Sequence, residues 1–238
     1  MKLSVVIPAY NEADRIVRTL QHTLLYLSIQ QFESEVLVVS DGSTDNTVSV
    51  AEGFETTEKV TVRALEYHPN RGKGYAVRYG MLRAAGETVL FMDADYSVPI
   101  EAVAKGLHLL NSGYDIAIAS RALADSVVDH HQNYFRELSA RVYTLIQNRY
   151  LGISYWDTQC GFKLFSRRSS QTLFAMQKLK SVIFDPEILW LAQCHHFKVA
   201  EFPVTWRHVE DSRIQYDSIK KSLFVFQELF RIKKLHRT

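Results

Sequence analysis

Two aspartates, Asp93 and Asp95, stand at the end of the apolar run Val89-Leu90-Phe91-Met92. Such a run reads as a buried strand of a parallel sheet, and open α/β sheets bind ligands outside the carboxyl ends of their strands. Two carboxylates this close repel each other unless a cation lies between them or water screens them. Oxygen donors suit Mg²⁺ or Mn²⁺, and Mg²⁺ is commonly held by one or two carboxylates plus substrate phosphates. Taken alone, Asp-x-Asp is also an ordinary acidic turn, so the rest of the chain decides.

Pro8-Ala9-Tyr10-Asn11-Glu12 closes the run Leu3–Pro8, and Asp41-Gly42-Ser43-Thr44-Asp45 closes Glu35–Ser40. Asp41 is suited to accept hydrogen bonds from a base N–H, Tyr10 to offer an apolar wall, and Gly42 to let backbone approach a ligand. In isolation Asp-Gly-Ser is a turn with a helix cap. Asn70-Arg71-Gly72-Lys73-Gly74 follows a third run and opens a helix. A basic, glycine-containing turn at a helix N-terminus is an anion site, though this one lacks P-loop spacing. Base-sized, phosphate-sized and metal-sized contacts at neighbouring strand ends suggest one ligand, a nucleoside diphosphate attached to something. The doublets His130-His131 and His195-His196 have no zinc spacing and their side chains diverge, so they are not read as metal sites.

These residues need a scaffold, and the first half of the chain supplies one. Strands are expected at Leu3–Pro8, Glu35–Ser40, Val60–Leu65, Thr88–Met92 and Asp115–Ala119. Helices are expected at Asn11–Leu27, Thr44–Gly53 (capped by Ser43 or Thr44), Lys73–Ala85 (ended by Gly86) and Pro99–Asn111. Alternation of this kind calls for a doubly wound, mostly parallel sheet with helices on both faces. After Arg121 the rhythm changes. Ala122–Gln132 reads as a mobile loop, Phe135–Tyr150 as helix, Asp157–Phe165 as mixed, Gln171–Met176 and Glu187–Cys194 as helix, and Lys198–Pro203 as a late strand.

The 238 residues fit one large domain with a short appendage, divided at 1–212 and 213–238. The net charge of +2 does not point to nucleic acid. Cys160 and Cys194 have no metal or redox spacing, which implies free thiols in a reducing, cytoplasmic setting. Neither a signal peptide nor a membrane-spanning run is evident, so a soluble or peripheral protein is expected.

The strand-end motifs at Val5–Glu12, Val39–Asp45, Asn70–Gly74 and Asp93–Asp95, in this order and spacing, resemble the family 2 inverting glycosyltransferases of the GT-A fold. The second half narrows the likeness. Ser120-Arg121, Arg136, the segment Asp157–Phe165, Phe184-Asp185-Pro186-Glu187 and Pro203-Val204-Thr205-Trp206 resemble the polyprenyl-phosphate glycosyltransferases. Within these, the likeness is first to the dolichyl-phosphate β-glucosyltransferases and next to the dolichyl-phosphate mannosyltransferases, over roughly residues 3–213.

The resemblance implies transfer of a hexose, glucose first, from UDP-glucose to a polyprenyl or dolichyl phosphate. Asp93 and Asp95 would hold Mg²⁺ or Mn²⁺, and Pro8, Tyr10, Glu12, Asp41, Arg71, Lys73, Asp93 and Ala94 would contact the nucleotide sugar. Arg121, Arg136 and Arg213 would grip the acceptor phosphate. Asp95, Arg136, Asp157 and Gln159 would form the catalytic group, with Asp157 a base, a backbone brace or an arginine-orienting residue. Ser97 stands where mannosyltransferase relatives often have Gln, Arg213 where a Lys is common, and the membrane-spanning helices of many relatives are missing. GDP-mannose as donor, a saccharide acceptor or a non-catalytic nucleotide-sugar-binding subunit stay open.

In Ser218–Ile232 the apolar residues fall on one helical arc. From Asp217 to Thr238 the chain carries six Lys/Arg against two acids, a net +4 against −2 for the rest. A basic amphipathic helix lies on a membrane surface or docks on its own domain. The expectation is a peripheral protein on the cytoplasmic face of a membrane, whose body binds donor without the tail.

Overall fold

The first strand, β1 (Leu3–Ala9), is buried along its whole length. Leu3, Val5 and Ile7 join one apolar cluster and Val6 the other, so the strand lies inside a sheet covered on both faces. A computed structural model describes residues 1–129, 134–208 and 219–236. Beyond β1 come α1 (Ala13–Ser28), β2 (Ser34–Asp41), α2 (Thr47–Glu52), β3 (Val60–Tyr67), α3 (Lys73–Met81) and β4 (Thr88–Met92). A 3-10 turn at Ile100–Ala102 leads to α4 (Val103–Asn111) and β5 (Ile116–Ser120). Then follow β6 (Val127–Asp129), α5 (Tyr134–Leu151), β7 (Phe162–Ser166), α6 (Arg167–Met176), α7 (Phe184–Cys194), β8 (Val199–Pro203), β9 (Thr205–Arg207) and α8 (Ile219–Leu235).

Seven strands form one sheet in the order β3-β2-β1-β4-β7-β5-β8. All neighbours are parallel except β7, which runs antiparallel between β4 and β5. β2 and β3 are laid down to one side of β1 and β4 to the other, so the strand order reverses at β1. Its pairing with β4 is recorded from Leu3↔Thr88 to Val6↔Phe91, whereas β1 and β2 stay paired to Ala9↔Ser40. A crevice at this reversal, beyond the carboxyl ends of the strands, is where open sheets of this type bind ligands. Residues of α1, α2 and α4 cover one face; residues of α3, α6, α7 and α8 cover the other.

Several boundaries depart from the sequence reading, each for a local reason. The second helix starts at Thr47 rather than Thr44, because Ser43 and Thr44 bond to Asn11 ahead of α1, while Asp45 serves both helix starts, its Oδ1 accepting from Thr47 N at 3.0 Å. Asn11 N donates to Ser43 Oγ (3.1 Å), Ala13 N to Asp45 Oδ2 (3.1 Å), and Thr44 N to Asn11 Oδ1 (2.7 Å). Asn11 itself adopts φ +55 outside the helix. The third helix ends at Met81, and Gly86 is needed for close approach: a Cβ there would lie 2.6 Å from Ser4 N. The expected loop 122–132 contains β6, paired in parallel with β9; its residues 130–132 lie outside the described residues. The mixed segment 157–165 supplies the antiparallel β7, whose strand pattern is interrupted by the buried Lys163. The tail helix α8 docks on the body, with Leu229 and Ile232 fully buried in the core, and Tyr150 Oη of α5 donates to its Phe230 carbonyl.

Candidate active site

Asp41, at the end of β2, is buried and tied to the basic turn. Its Oδ1 accepts from Tyr67 Oη (2.8 Å) and Arg71 N (2.7 Å), and its Oδ2 from Gly72 N (2.8 Å). Asn70 Nδ2 donates to the Asp41 carbonyl at 3.0 Å. Burial, then the hydrogen bond to Asp41, pushes the Tyr67 hydroxyl well above the ordinary tyrosine range. Carboxylates have about four lone-pair sites, so one direction on Oδ2 is left for an incoming N–H. Arg71 lies over the Tyr75 ring at 4.7 Å and donates to its hydroxyl at 2.7 Å. Tyr10 stands half exposed at the end of β1, and Glu12 forms an ion pair with Arg15.

The turn ends on Lys73, whose Nζ lies 2.6 Å from Asp93 Oδ1. Burial alone would lower the Lys73 pKa, but Asp93, Asp185 and Asp95 outweigh it and hold the ammonium above its usual range. Asp93 also lies over Gly161: a Cβ on that glycine would come 2.0 Å from Asp93 Oδ2. The pair is joined along the backbone by Asp93 N donating to Gly161 O at 2.9 Å. Asp95 accepts from Ser97 N at 2.9 Å. Its carboxyl is raised above the ordinary aspartate range by burial and by the charge of Asp93. Ala94 is buried, and its carbonyl accepts from Thr19 Oγ1 (2.6 Å), which fixes the backbone between the two acids.

No group of three or more His, Cys, Asp and Glu able to hold a metal by itself occurs among the described residues. Two carboxylates whose mutual repulsion already perturbs Asp95 fit a hard cation completed by substrate phosphates and water. The donor set therefore fits Mg²⁺ or Mn²⁺ at Asp93 and Asp95.

At the ends of β5 and β7, next to β4, Asp157 is buried and gripped by Arg121. Arg121 donates from Nε to Oδ2 (2.6 Å), from Nη2 to Oδ1 (2.9 Å) and from its backbone N to Oδ2 (3.0 Å), and Gln159 N adds a bond to Oδ1 (3.0 Å). Burial would raise the Asp157 carboxyl, but the Arg121 guanidinium outweighs it and holds the group below the usual range. These four bonds engage all of its lone-pair sites. Glu201 braces the same loop, accepting from Trp156 N and Asp157 N. Gln159 Nε2 is buried with no partner among the described residues, a donor left over for a ligand. Burial, then the Asp157 charge, pushes the Cys160 thiol up to about 12, so it is inert.

Pro8, Tyr10, Asp41, Arg71, Lys73, Asp93 and Asp95 thus lie at or just beyond the ends of β1, β2 and β4 and in the turn after β3, with Arg121 and Asp157 following β5 and preceding β7. The Arg136 side chain and all of Arg213 lie outside the described residues. Sequence reasoning assigned no individual role to Gly161, Tyr67, Glu201 or the buried pair Lys163–Asp185 (2.6 Å), although Gly161, Lys163 and Asp185 stood in segments that carried the resemblance. The physical signal for the last was a lysine inside an apolar run, Phe162-Lys163-Leu164-Phe165.

The family model described as "Glycosyl transferase family 2" matches residues 4–174. The chain belongs to glycosyl transferase family 2. Within the family, the chain is 37% identical to the Drosophila melanogaster dolichyl-phosphate beta-glucosyltransferase over 90% of its own length and 69% of the relative's. It is 35% identical to the human protein of the same name (90% and 69%) and 36% to that of Saccharomyces cerevisiae (92% and 71%). Among solved structures, Mycobacterium tuberculosis glucosyl-3-phosphoglycerate synthase with Mn²⁺, UDP and glucosyl-3-phosphoglycerate superposes with a TM-score of 0.72. That match has 17% identity and covers 100% of this chain and 81% of that one. The likeness bears on fold, and the fold is the expected GT-A arrangement. No helix among the described residues is long and apolar enough to cross a membrane.

Proposed function

We propose that the chain transfers glucose from UDP-glucose to dolichyl phosphate, or a related polyprenyl phosphate, with inversion at the anomeric carbon. The observation that carries this reading is the convergence of Lys73, Asp93 and Asp95 at one strand end opposite Arg121. It is supported by relatives, 34–37% identical, named for that reaction. Asp41 and Tyr10 would take the base, and Arg71 and Lys73 the diphosphate. Asp93 and Asp95 would hold Mg²⁺ or Mn²⁺, whose chemistry is to neutralise the charge that grows on a leaving diphosphate.

The acceptor needs little activation. A phosphate monoester has its second pKa near ~6 and is largely ionised at neutral pH. Its oxygen attacks the anomeric carbon as the bond to UDP breaks on the opposite side, and no proton has to move. What the acceptor requires is a cation, and Arg121 offers one that Asp157 holds in place through a two-pronged bond. Asp157 is therefore a positioning residue, and Gln159 Nε2 is the leftover donor for sugar or phosphate.

We extend the reading to a peripheral position on a membrane. Helix α8 exposes Leu223, Phe224 and Phe230, and α5 exposes Val142 and Leu145, with Arg141, Arg149, Arg231 and Lys234 also exposed on these helices. Apolar side chains beside basic ones suit the surface of an anionic bilayer.

The test is a donor screen with labelled sugars, dolichyl phosphate and Mg²⁺ or Mn²⁺, counting label extracted with lipid. UDP-glucose should be the preferred donor. Preference for GDP-mannose would replace the donor, and label passing to saccharide would replace the acceptor. Donor binding without transfer to either would mean a non-catalytic subunit.

A further inference from the structure

The Gly72-Lys73-Gly74 turn leans on the backbone of residues 179–181. A Cβ on Gly72 would lie 2.6 Å from the Lys180 carbonyl oxygen, and one on Gly74 would lie 2.6 Å from that of Ser181. Tyr75 N donates to Lys180 O at 3.2 Å, and Gln177 Nε2 donates to Gly74 O (2.8 Å) and Leu179 O (2.7 Å). The segment 178–181 has no regular secondary structure, so side chains must hold it.

Two of the side chains that do so come from the C-terminal helix or its end. Glu187 on α7 is fully buried and accepts from Lys178 N (2.8 Å) and Leu179 N (2.9 Å). The same carboxylate meets His236 Nε2, just past α8, at 2.6 Å, and the His236 ring lies 5.4 Å from that of Trp190. Farther along, Ser181 Oγ donates to Glu228 Oε2 of α8 at 3.0 Å. The C-terminal helix thus grips the segment at 178–179 through Glu187 and at 181 directly.

We propose that His236 and Glu228 are positioning residues for the donor: through residues 178–181 they set the Gly72–Gly74 turn and, with it, Lys73. This inference rests on the reading of that turn as the diphosphate contact. It gives the C-terminal helix a part in donor binding, where the sequence led us to expect a body that binds donor without it.

The experiment uses the full chain and its His236→Ala, His236→Gln, Ser181→Ala and Lys73→Met variants. The readouts are KM for UDP-glucose and for dolichyl phosphate, UDP affinity by calorimetry, and melting temperature. His236→Ala should raise the UDP-glucose KM and the UDP Kd by about five- to twentyfold, within the usual range for coupled sites. The KM for dolichyl phosphate should stay within about twofold, since the acceptor side of the crevice is held by a different pair. His236→Gln, whose amide nitrogen can still donate to Glu187, should recover most of the affinity. Ser181→Ala should weaken UDP in the same direction, and it keeps the test informative if His236→Ala does not fold. The proposal is overturned if donor and acceptor KM rise together in step with a fall in melting temperature. Unchanged UDP affinity in both His236→Ala and Ser181→Ala also overturns it. Lys73→Met separates the two ideas. If it alone weakens UDP-glucose, the donor reading stands and the relay falls; if it binds UDP-glucose normally, both fall.

Discussion

Replacing Asp157 with Asn tests the division of labour on the acceptor side. The wild-type carboxylate is buried and accepts two bonds from the Arg121 guanidinium and two from backbone N–H groups. Asparagine keeps one carbonyl oxygen and turns an NH₂ against these donors, leaving Arg121 without its counter-charge. Breaking a buried ion pair costs about 3–5 kcal/mol. The Arg121 side chain is 32% exposed, so water hydrates part of the orphaned charge and the lower figure, about 3 kcal/mol, is the expected loss. In a chain of this size that corresponds to a fall in Tm of roughly 6–12 °C. Because the folded pKa of Asp157 is depressed, the pair stabilises fully above the unfolded value, about 3.9, and loses its effect as pH falls through the folded value. Urea unfolding at pH 7 and again at the acid limit of folding should therefore show a gap that closes on acidification. In activity assays, the KM for dolichyl phosphate should rise as Arg121 loses its brace. A fall in kcat of about 10²–10⁴ at unchanged acceptor KM, with no loss of stability, would refute the positioning role and make Asp157 a base.

Gly161→Ala places a methyl 2.0 Å from Asp93 Oδ2 and must displace that carboxylate. Mn²⁺ affinity, read by electron paramagnetic resonance in the presence of UDP, should fall by at least tenfold; an unchanged signal would remove Asp93 from the site. Lys163→Met leaves Asp185 buried and unpaired, a loss of about 3–5 kcal/mol by denaturant unfolding, and Asp185, already raised by burial, should take up a proton. The double variant Lys163→Met/Asp185→Leu should regain much of that loss, and no recovery would show that the pair does more than neutralise itself. Stripping divalent ions with EDTA should abolish transfer, and Mg²⁺ or Mn²⁺ should restore it; full activity in EDTA would exclude a metal at Asp93 and Asp95.

The cluster we propose for the donor was legible in the sequence because its parts are local. Asp41, the Asn70–Gly74 turn and Asp93–Asp95 each follow their own strand, and a parallel sheet brings all such ends to one edge. What the sequence did not disclose depends on partners far along the chain. Nothing near Ser43 and Asp45 indicates that Ser43 serves the start of α1, or that Asp45 serves α1 and α2 together. Gly161 reads as any loop glycine until Asp93 is laid across it. Lys163 breaks the apolar pattern of β7 and hides the strand, and its partner Asp185 sits on a separate helix. The short β6 escaped notice because its three residues are largely exposed and its pairing partner, β9, is distant. The basic amphipathic tail left docking on membrane or on protein open. Buried Leu229 and Ile232 put one face of α8 on the body, while Leu223, Phe224 and Phe230 leave another free.

The most direct measurement is the configuration of the product. UDP-glucose carries an α-linked sugar, so displacement by the lipid phosphate must give the β-linked glucosyl lipid if the two events occur on opposite faces. Incubation with dolichyl phosphate and Mn²⁺, followed by NMR of the lipid product, should show β-glucosyl phosphate, and Asp95→Asn should form almost none. An α-linked product, or full-rate transfer by Asp95→Asn, would contradict the account.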